Sequence, residues 1–253
     1  MSSCCLGGIF VNPDDRSKVL DTVQGRGGEL ILLERHTPSG VHHEIRIDGR
    51  FAMSTSDEPT SRLLARASLN RLDQKEGIRV LVGGLGLGLT LKEVLDDRRV
   101  GEVTVAELEE AIIGWNGSFL RAFNGATLSD PRLRVYCGDV LDLLGERRAG
   151  FDVILMDVDN GPSYLLNEKN ASLYTHKGMR MMKRCLVPGG ILGVWAGRPE
   201  PDLERRLRVY YTDVRVDLVA DRGEGENIPP TAIYTAAKGM SSRAQRSTER
   251  PAF

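Results

Sequence analysis

From residue 79 onward the chain alternates two patterns. Short apolar, β-branched runs at 79–83, 102–107, 133–137, 152–157 and 191–196 are separated by segments of helical spacing at 89–97, 109–123, 139–146, 171–186 and 201–209. Strand and helix in strict alternation predict a Rossmann-like, doubly wound α/β domain with a mostly parallel sheet covered on both faces. Two last apolar runs, 213–219 and 231–236, have only a polar loop between them, which predicts an antiparallel pair at the sheet edge. Upstream the pattern differs. Glu29–Arg35 forms one apolar run, and Val41–Met53 alternates, turns at Asp48-Gly49 and alternates again, a strong hairpin signal. Residues 28–56 therefore form a small antiparallel β-sheet ahead of a main domain at 57–237. A helix over 57–72, capped by Ser56 or Asp57 and with Pro59 in its first turn, opens that domain. Residues 1–27 read as a loose lead-in with one helical turn near 14–23, and 238–253, lacking periodicity, as a disordered tail.

In such a sheet, ligands bind beyond the carboxyl ends of the strands, and four successive ends carry notable residues. Gly84, Gly86 and Gly88 follow the first strand, and Glu107 ends the second. Gly138-Asp139 follow the third, and Asp157-Val158-Asp159-Asn160-Gly161-Pro162 follow the fourth. Glycines let backbone approach a ligand closely, a helix N-terminus offers free N–H groups, and an acid on the second strand tip suits two ribose hydroxyls. A nucleoside site follows. It is not the dinucleotide fingerprint, whose Gly-x-Gly-x-x-Gly fails at Leu89. Each residue also has a plainer role: loop packing for the glycines, dipole complementation for Glu107, N-capping for Asp139, turn formation for Asp157 and Asp159.

Composition narrows the partners. A formal charge of −1 excludes a general electrostatic grip on nucleic acid or anionic membrane. No apolar stretch approaches a membrane span, and the N-terminus lacks a basic leader. Adjacent Cys4-Cys5 cannot chelate a metal alone, no Cys-x-x-Cys pair occurs, and Cys137 and Cys185 are expected as buried thiols. A cytoplasmic protein without a metal is expected. His42-His43-Glu44 alternates across a strand, which places it on a hairpin surface rather than around an ion. Trp115 is expected in the core with Asn116 at the surface, and Trp195 against either a ligand or the core.

Phe151–Asp157 and Leu186–Leu192 resemble recurring blocks of the class I fold of S-adenosylmethionine-dependent transferases. More narrowly, residues 28–196 resemble the spermidine synthase (polyamine aminopropyltransferase) family. Ile47-Asp48-Gly49, Asp57-Glu58, Asp130-Pro131-Arg132, Gly138-Asp139 and Gly161-Pro162 match its motifs. The resemblance implies a donor site of Gly84, Gly86, Gly88, Glu107, Leu108, Gly138 and Asp139, with Glu107 on the ribose and Asp139 on the adenine amino group. It makes Asp157 the catalytic carboxylate and places Asp159 and Asn160 at the acceptor pocket; Tyr164, Tyr174 and His176, which follow the Asp157 loop, are read as lining that pocket, with helix-start positions as the plainer role of Tyr174 and His176. It also implies decarboxylated S-adenosylmethionine or S-adenosylmethionine as donor, a small-molecule acceptor, expected to be an amine, and a homodimer. The chain departs from the family pattern at Leu87, Ala52, Ser61 and Asn160, where the family has acids, a glutamine and a tyrosine for amine groups; Asp159 offers a substitute for the acid missing at 160. Aminopropyl transfer is the leading expectation. Methyl transfer to a non-polyamine molecule, and a non-catalytic nucleoside-binding relative, are the alternatives.

Overall fold

The computed structural model describes residues 17–37, 40–55, 58–74, 76–146, 150–220 and 229–240. Expectations for Cys4 and Cys5, the Ser56/Asp57 cap, the loop before the last strand and the tail past 240 lie outside the described residues. The chain begins with β1 (Ser17–Gln24), β2 (Glu29–Thr37), β3 (Gly40–Ile47), β4 (Arg50–Ser54) and α1 (Glu58–Leu69). It continues β5 (Ile78–Gly83), α2 (Leu89–Asp96), β6 (Val100–Glu107), α3 (Glu110–Gly117), α4 (Arg121–Asn124), β7 (Leu133–Cys137) and α5 (Val140–Glu146). Then come β8 (Phe151–Met156), α6 (His176–Cys185), β9 (Leu186–Ala196), α7 (Pro201–Tyr210), β10 (Thr212–Val219) and β11 (Thr231–Ala237).

The first four strands form an antiparallel sheet in chain order, and the remaining seven form a sheet ordered β10-β11-β9-β8-β5-β6-β7. Its last five strands are parallel, while β11 runs antiparallel to both β9 and β10. The predicted fold is therefore present, down to the antiparallel edge pair. β8 is buried at every position, as a central parallel strand covered on both faces must be. Its one acid, Asp152, accepts the Arg79 backbone N–H (2.8 Å) and the Arg79 Nε–H (3.1 Å). Strand order reverses between the parallel neighbours β5 and β8, and a ligand crevice opens at such a switch point.

The Asp48-Gly49 hairpin forms as expected, with φ of 48° and 71° at its two turn residues. Elsewhere the pattern misled. Residues 17–24 form a strand of the small sheet rather than a loose lead-in. A bulge between Val19 and Asp21 breaks the alternation, although Leu20 and Val23 still pack on the core. The helix expected over 109–123 is two pieces, because Ser118 leaves helical geometry (φ −124°, ψ −93°). The helix expected from 171 starts at His176, after a 3-10 stretch at Glu168–Tyr174. Cys185 is buried as expected, but Cys137 is exposed, since β7 is an edge strand.

Candidate active site

Two adjoining cavities lie at the carboxyl ends of β5, β6, β7 and β8, roofed by the small sheet. The narrower, about 100 Å³, is lined by Gly84, Gly86, Glu107, Leu108, Gly138 and Asp139, with Gly27 and Met53 from the roof. The wider, about 520 Å³, extends over Leu85, Leu87 and Leu89 towards Trp195 and Arg198. Ala52, Met53, Gly86, Asp157, Val158 and Leu166 belong to both walls. Asp157 thus stands on the wall the two spaces share.

The glycine loop makes this possible. Gly84 has φ +88°, and a β-carbon there would collide with the Asp157 carbonyl oxygen. At Gly86 (φ +52°) a β-carbon would push against the Met53 sulfur, and the backbone conformation there suits glycine, so this glycine lets the Met53 side chain of the roof lie on the loop undisplaced. Glu107, on the tip of β6, is buried. Its carboxylate accepts the backbone N–H groups of Leu85 and Glu109, both at 2.9 Å. Burial raises its pKa, the backbone hydrogen bonds oppose that rise, and nearby Glu109 adds to it. Two accepted bonds leave a carboxylate with lone pairs to spare for a diol. Asp139 Oδ1 accepts the Leu141 N–H at 2.8 Å, capping α5 while lining the cavity. The plain reading and the functional one hold together here.

Asp157 Oδ2 accepts the Thr90 hydroxyl at 2.6 Å, which fixes the carboxylate's orientation from the first turn of α2. Asp159 also lines the wider cavity, but its carboxylate organises its own loop. It accepts the N–H groups of Asn160 (3.0 Å), Leu166 (2.6 Å) and Asn167 (3.4 Å) and the Asn170 side-chain amide (2.9 Å). Asn160 is on the same wall, and Tyr164 lies at its rim with the Arg50 guanidinium 4.9 Å from its ring centre. Trp195 packs against the core and also lines the wider cavity, its indole N–H donating to Thr60 Oγ1 at 3.2 Å.

Two expected site residues are elsewhere. Tyr174 lines neither cavity: it is buried in the core below β8, where desolvation pushes its phenol well above the ordinary range. The 3-10 stretch before α6 turns it inward. Gly88 also lines neither cavity; with φ +80° it precedes α2 and lies against Asn116. Asn116, expected at the surface, is fully buried and donates to the Gly86 carbonyl (2.7 Å) and the Ile112 carbonyl (2.9 Å), tying the glycine loop to α3. Sequence reading missed Asn116, Thr90 and Met53 as site builders, because each reaches the site through tertiary contact alone. The four departures, Leu87, Ala52, Ser61 and Asn160, all line the wider cavity. Among the described residues no cluster of three or more His, Cys, Asp or Glu side chains is disposed to hold a metal ion.

Residues 62–212 match the family model for the spermine/spermidine synthase domain. A polyamine aminopropyltransferase of Synechococcus sp. (strain JA-3-3Ab) is 30% identical over 232 residues, 88% of this chain and 68% of that protein. Another, from Synechococcus sp. (strain JA-2-3B'a(2-13)), is 30% identical over 203 residues, so the chain spans 60% of that relative's length and 77% of its own is matched. Among solved structures, a spermidine synthase in complex with the transition-state analogue AdoDATO has a TM-score of 0.74 at 18% identity. That likeness covers 92% of this chain and 80% of the other, and establishes a shared fold. The spermidine synthase of Thermotoga maritima gives a TM-score of 0.72 at 18% identity, over 92% of this chain and 79% of that one.

Proposed function

The chain belongs to the spermine/spermidine synthase family, and on that premise we propose that it transfers an aminopropyl group from decarboxylated S-adenosylmethionine to an amine. The observation that carries this is Asp157 on the shared wall of two cavities, one of which presents Glu107 and Asp139. The adenosine lies in the narrower space, its ribose hydroxyls donating to Glu107 and its adenine amino group to Asp139. At about 100 Å³ that space is below the roughly 300 Å³ at which ligand pockets usually begin, so donor binding widens it. The acceptor enters through the wider cavity.

In the step itself, the amine lone pair attacks the propyl carbon bonded to the sulfonium. A carbon–nitrogen bond forms, the carbon–sulfur bond breaks, and its electron pair stays on sulfur as a neutral thioether, methylthioadenosine. The product amine loses a proton to Asp157, whose carboxylate also holds the incoming amine deprotonated and aimed. A sulfonium is already an activated leaving group, so the work assigned to the protein is orientation and proton acceptance.

One observation favours a second reading. The positions that depart from the family pattern line the wider cavity, and Leu87, where the family has an acid for the donor's amino group, is buried there. Methyl transfer from S-adenosylmethionine to a less charged acceptor would suit such a wall. A cytoplasmic homodimer is proposed on the family's analogy; among the described residues no helix is long and apolar enough to cross a membrane. Calorimetry with methylthioadenosine, S-adenosylmethionine and its decarboxylated form ranks the donors. Aminopropyl transfer requires the decarboxylated form to bind at least as tightly as its parent. Tight binding of S-adenosylmethionine alone selects methyl transfer, and binding of none removes the adenosyl site.

A further inference from the structure

Beside the donor cavity stands a second buried carboxylate that the reaction above does not use. Glu109 lies two residues past Glu107, at the N-terminal boundary of α3, and its own backbone N–H donates to Glu107 Oε1 at 2.9 Å. Its side chain points the other way, into the four-residue turn between β1 and β2. Glu109 Oε2 accepts the Arg26 backbone N–H at 2.8 Å, and Oε1 accepts the Gly27 backbone N–H at 2.6 Å. Two successive N–H groups converging on one anion form a nest, and hydrogen bonds to a charged acceptor are the stronger kind.

The turn is shaped around that carboxylate. A β-carbon at Gly25 would collide with Glu109 Oε2, and the Gly25 N–H closes the turn on the Gly28 carbonyl at 2.9 Å. From the opposite side, Asp48 of the β3–β4 hairpin accepts the Glu29 N–H at 2.7 Å. Nearby, Trp115 Nε1 donates to Asp21 Oδ2 of β1 at 2.7 Å, so α3 grips the small sheet at two points. Gly27 and Glu109 are themselves part of the wall of the donor cavity.

We infer that Glu109 is a positioning residue for donor binding, holding the 25–28 turn of the small sheet as one wall of the adenosine space. This rests on the reading of that space as the adenosyl site. A continuous run of hydrogen bonds then links glycine loop, ribose acid and turn: Leu85 N–H to Glu107, Glu109 N–H to Glu107, and the turn's amides to Glu109. The small sheet contributes to the donor site through this anion, and its grip depends on a side chain of the main domain.

The test uses the full chain and Glu109→Gln, which keeps the shape but accepts only one of the two N–H groups. Two readouts separate the clamp from the ligand reading. The first is hydrogen exchange of the Arg26 and Gly27 amides without ligand: both are protected in the wild-type chain and exchange faster in the variant. The second is calorimetry with methylthioadenosine, whose Kd rises about tenfold, as for the loss of one charged hydrogen bond. At saturating donor, turnover and the acceptor KM stay unchanged, which a general loss of structure would not allow. Exposed Glu110→Gln serves as control and moves none of these quantities. Unprotected amides in the wild-type chain, or an unchanged Kd in a folded Glu109→Gln variant, overturn the inference. Protected amides with no methylthioadenosine binding by the wild-type chain overturn the adenosyl reading and, with it, the role in donor binding, leaving only the clamp.

Discussion

The two cavities that meet at Asp157 are built by opposite means. The narrower is a property of the sheet. Its acids, Glu107 and Asp139, come from the ends of neighbouring parallel strands, and both are oriented by backbone amides: Leu85 of the glycine loop and Glu109 for the first, Leu141 in the first turn of α5 for the second. The wider is a property of side chains gathered from distant places. Leu87 comes from the glycine loop, Ala52 from the small sheet, Ser61 from α1 and Trp195 from the end of β9. Its second acid, Asp159, has its carboxylate engaged by four donors of its own loop. The narrower cavity's acids cannot change without breaking bonds of the sheet and its loops, whereas the wall of the wider one can be rewritten residue by residue. That contrast fits the place of the four departures, all of which line the wider cavity, Ala52 lining the narrower one as well.

The largest predicted effect strikes the junction. Asp157→Asn lowers turnover by roughly 10²–10⁴, the usual contribution of a positioned proton acceptor, while the Kd for methylthioadenosine stays within about twofold. Loss of both together would merge the two cavities into one functional unit and break the comparison. Next comes the donor side. Glu107→Gln weakens methylthioadenosine binding by roughly a hundredfold, about 3 kcal/mol for hydrogen bonds to a charged acceptor, and leaves the acceptor KM unchanged.

Glu107 also gives the comparison a pH signature. Its pKa is raised in the folded chain, so over that interval the folded state holds a proton that the unfolded chain releases. Its contribution to stability falls as pH rises from the ordinary carboxylate range through the folded value. Donor affinity moves the other way, rising as the carboxylate becomes ionised to accept the ribose hydroxyls. Urea unfolding and calorimetry across the mildly acidic range read the two trends, and Glu107→Gln removes both.

A smaller effect is expected at Thr90, which orients Asp157 without touching either substrate in this account. Thr90→Val lowers turnover about tenfold, the worth of one hydrogen bond to a charged group, and spares donor affinity in calorimetry. Smallest of all, Tyr174→Phe changes turnover by less than about twofold, because a phenol buried below the sheet takes part in neither cavity. A large loss of kcat in that variant would return Tyr174 to the acceptor pocket.

What the sequence revealed depended on how local the cause was. The parallel sheet, the Asp48-Gly49 hairpin and the acids at the strand ends follow from short-range periodicity and turn chemistry. β1 was hidden because one bulge at Val19–Asp21 is enough to scramble a period-two pattern. Asn116 looked like a surface residue because its apolar neighbours give no hint that the Gly86 carbonyl waits on the other side. Glu109 and Thr90 sit next to recognised motifs, yet their partners are residues 26–27 and 157, which only the folded chain brings near. Tyr174 was misplaced because a 3-10 turn, invisible to helical spacing, rotates it into the core.

In the proposed reaction, the aminopropyl group passes from one cavity to the other beside Asp157. This transfer is tested most directly by incubating the chain with decarboxylated S-adenosylmethionine and a set of diamines and monoamines, measuring both products by mass spectrometry. Methylthioadenosine and an aminopropylated amine are expected in equal amounts, both lost in Asp157→Asn. Donor binding without release of methylthioadenosine to any amine, or S-adenosylhomocysteine formed from S-adenosylmethionine instead, would contradict it.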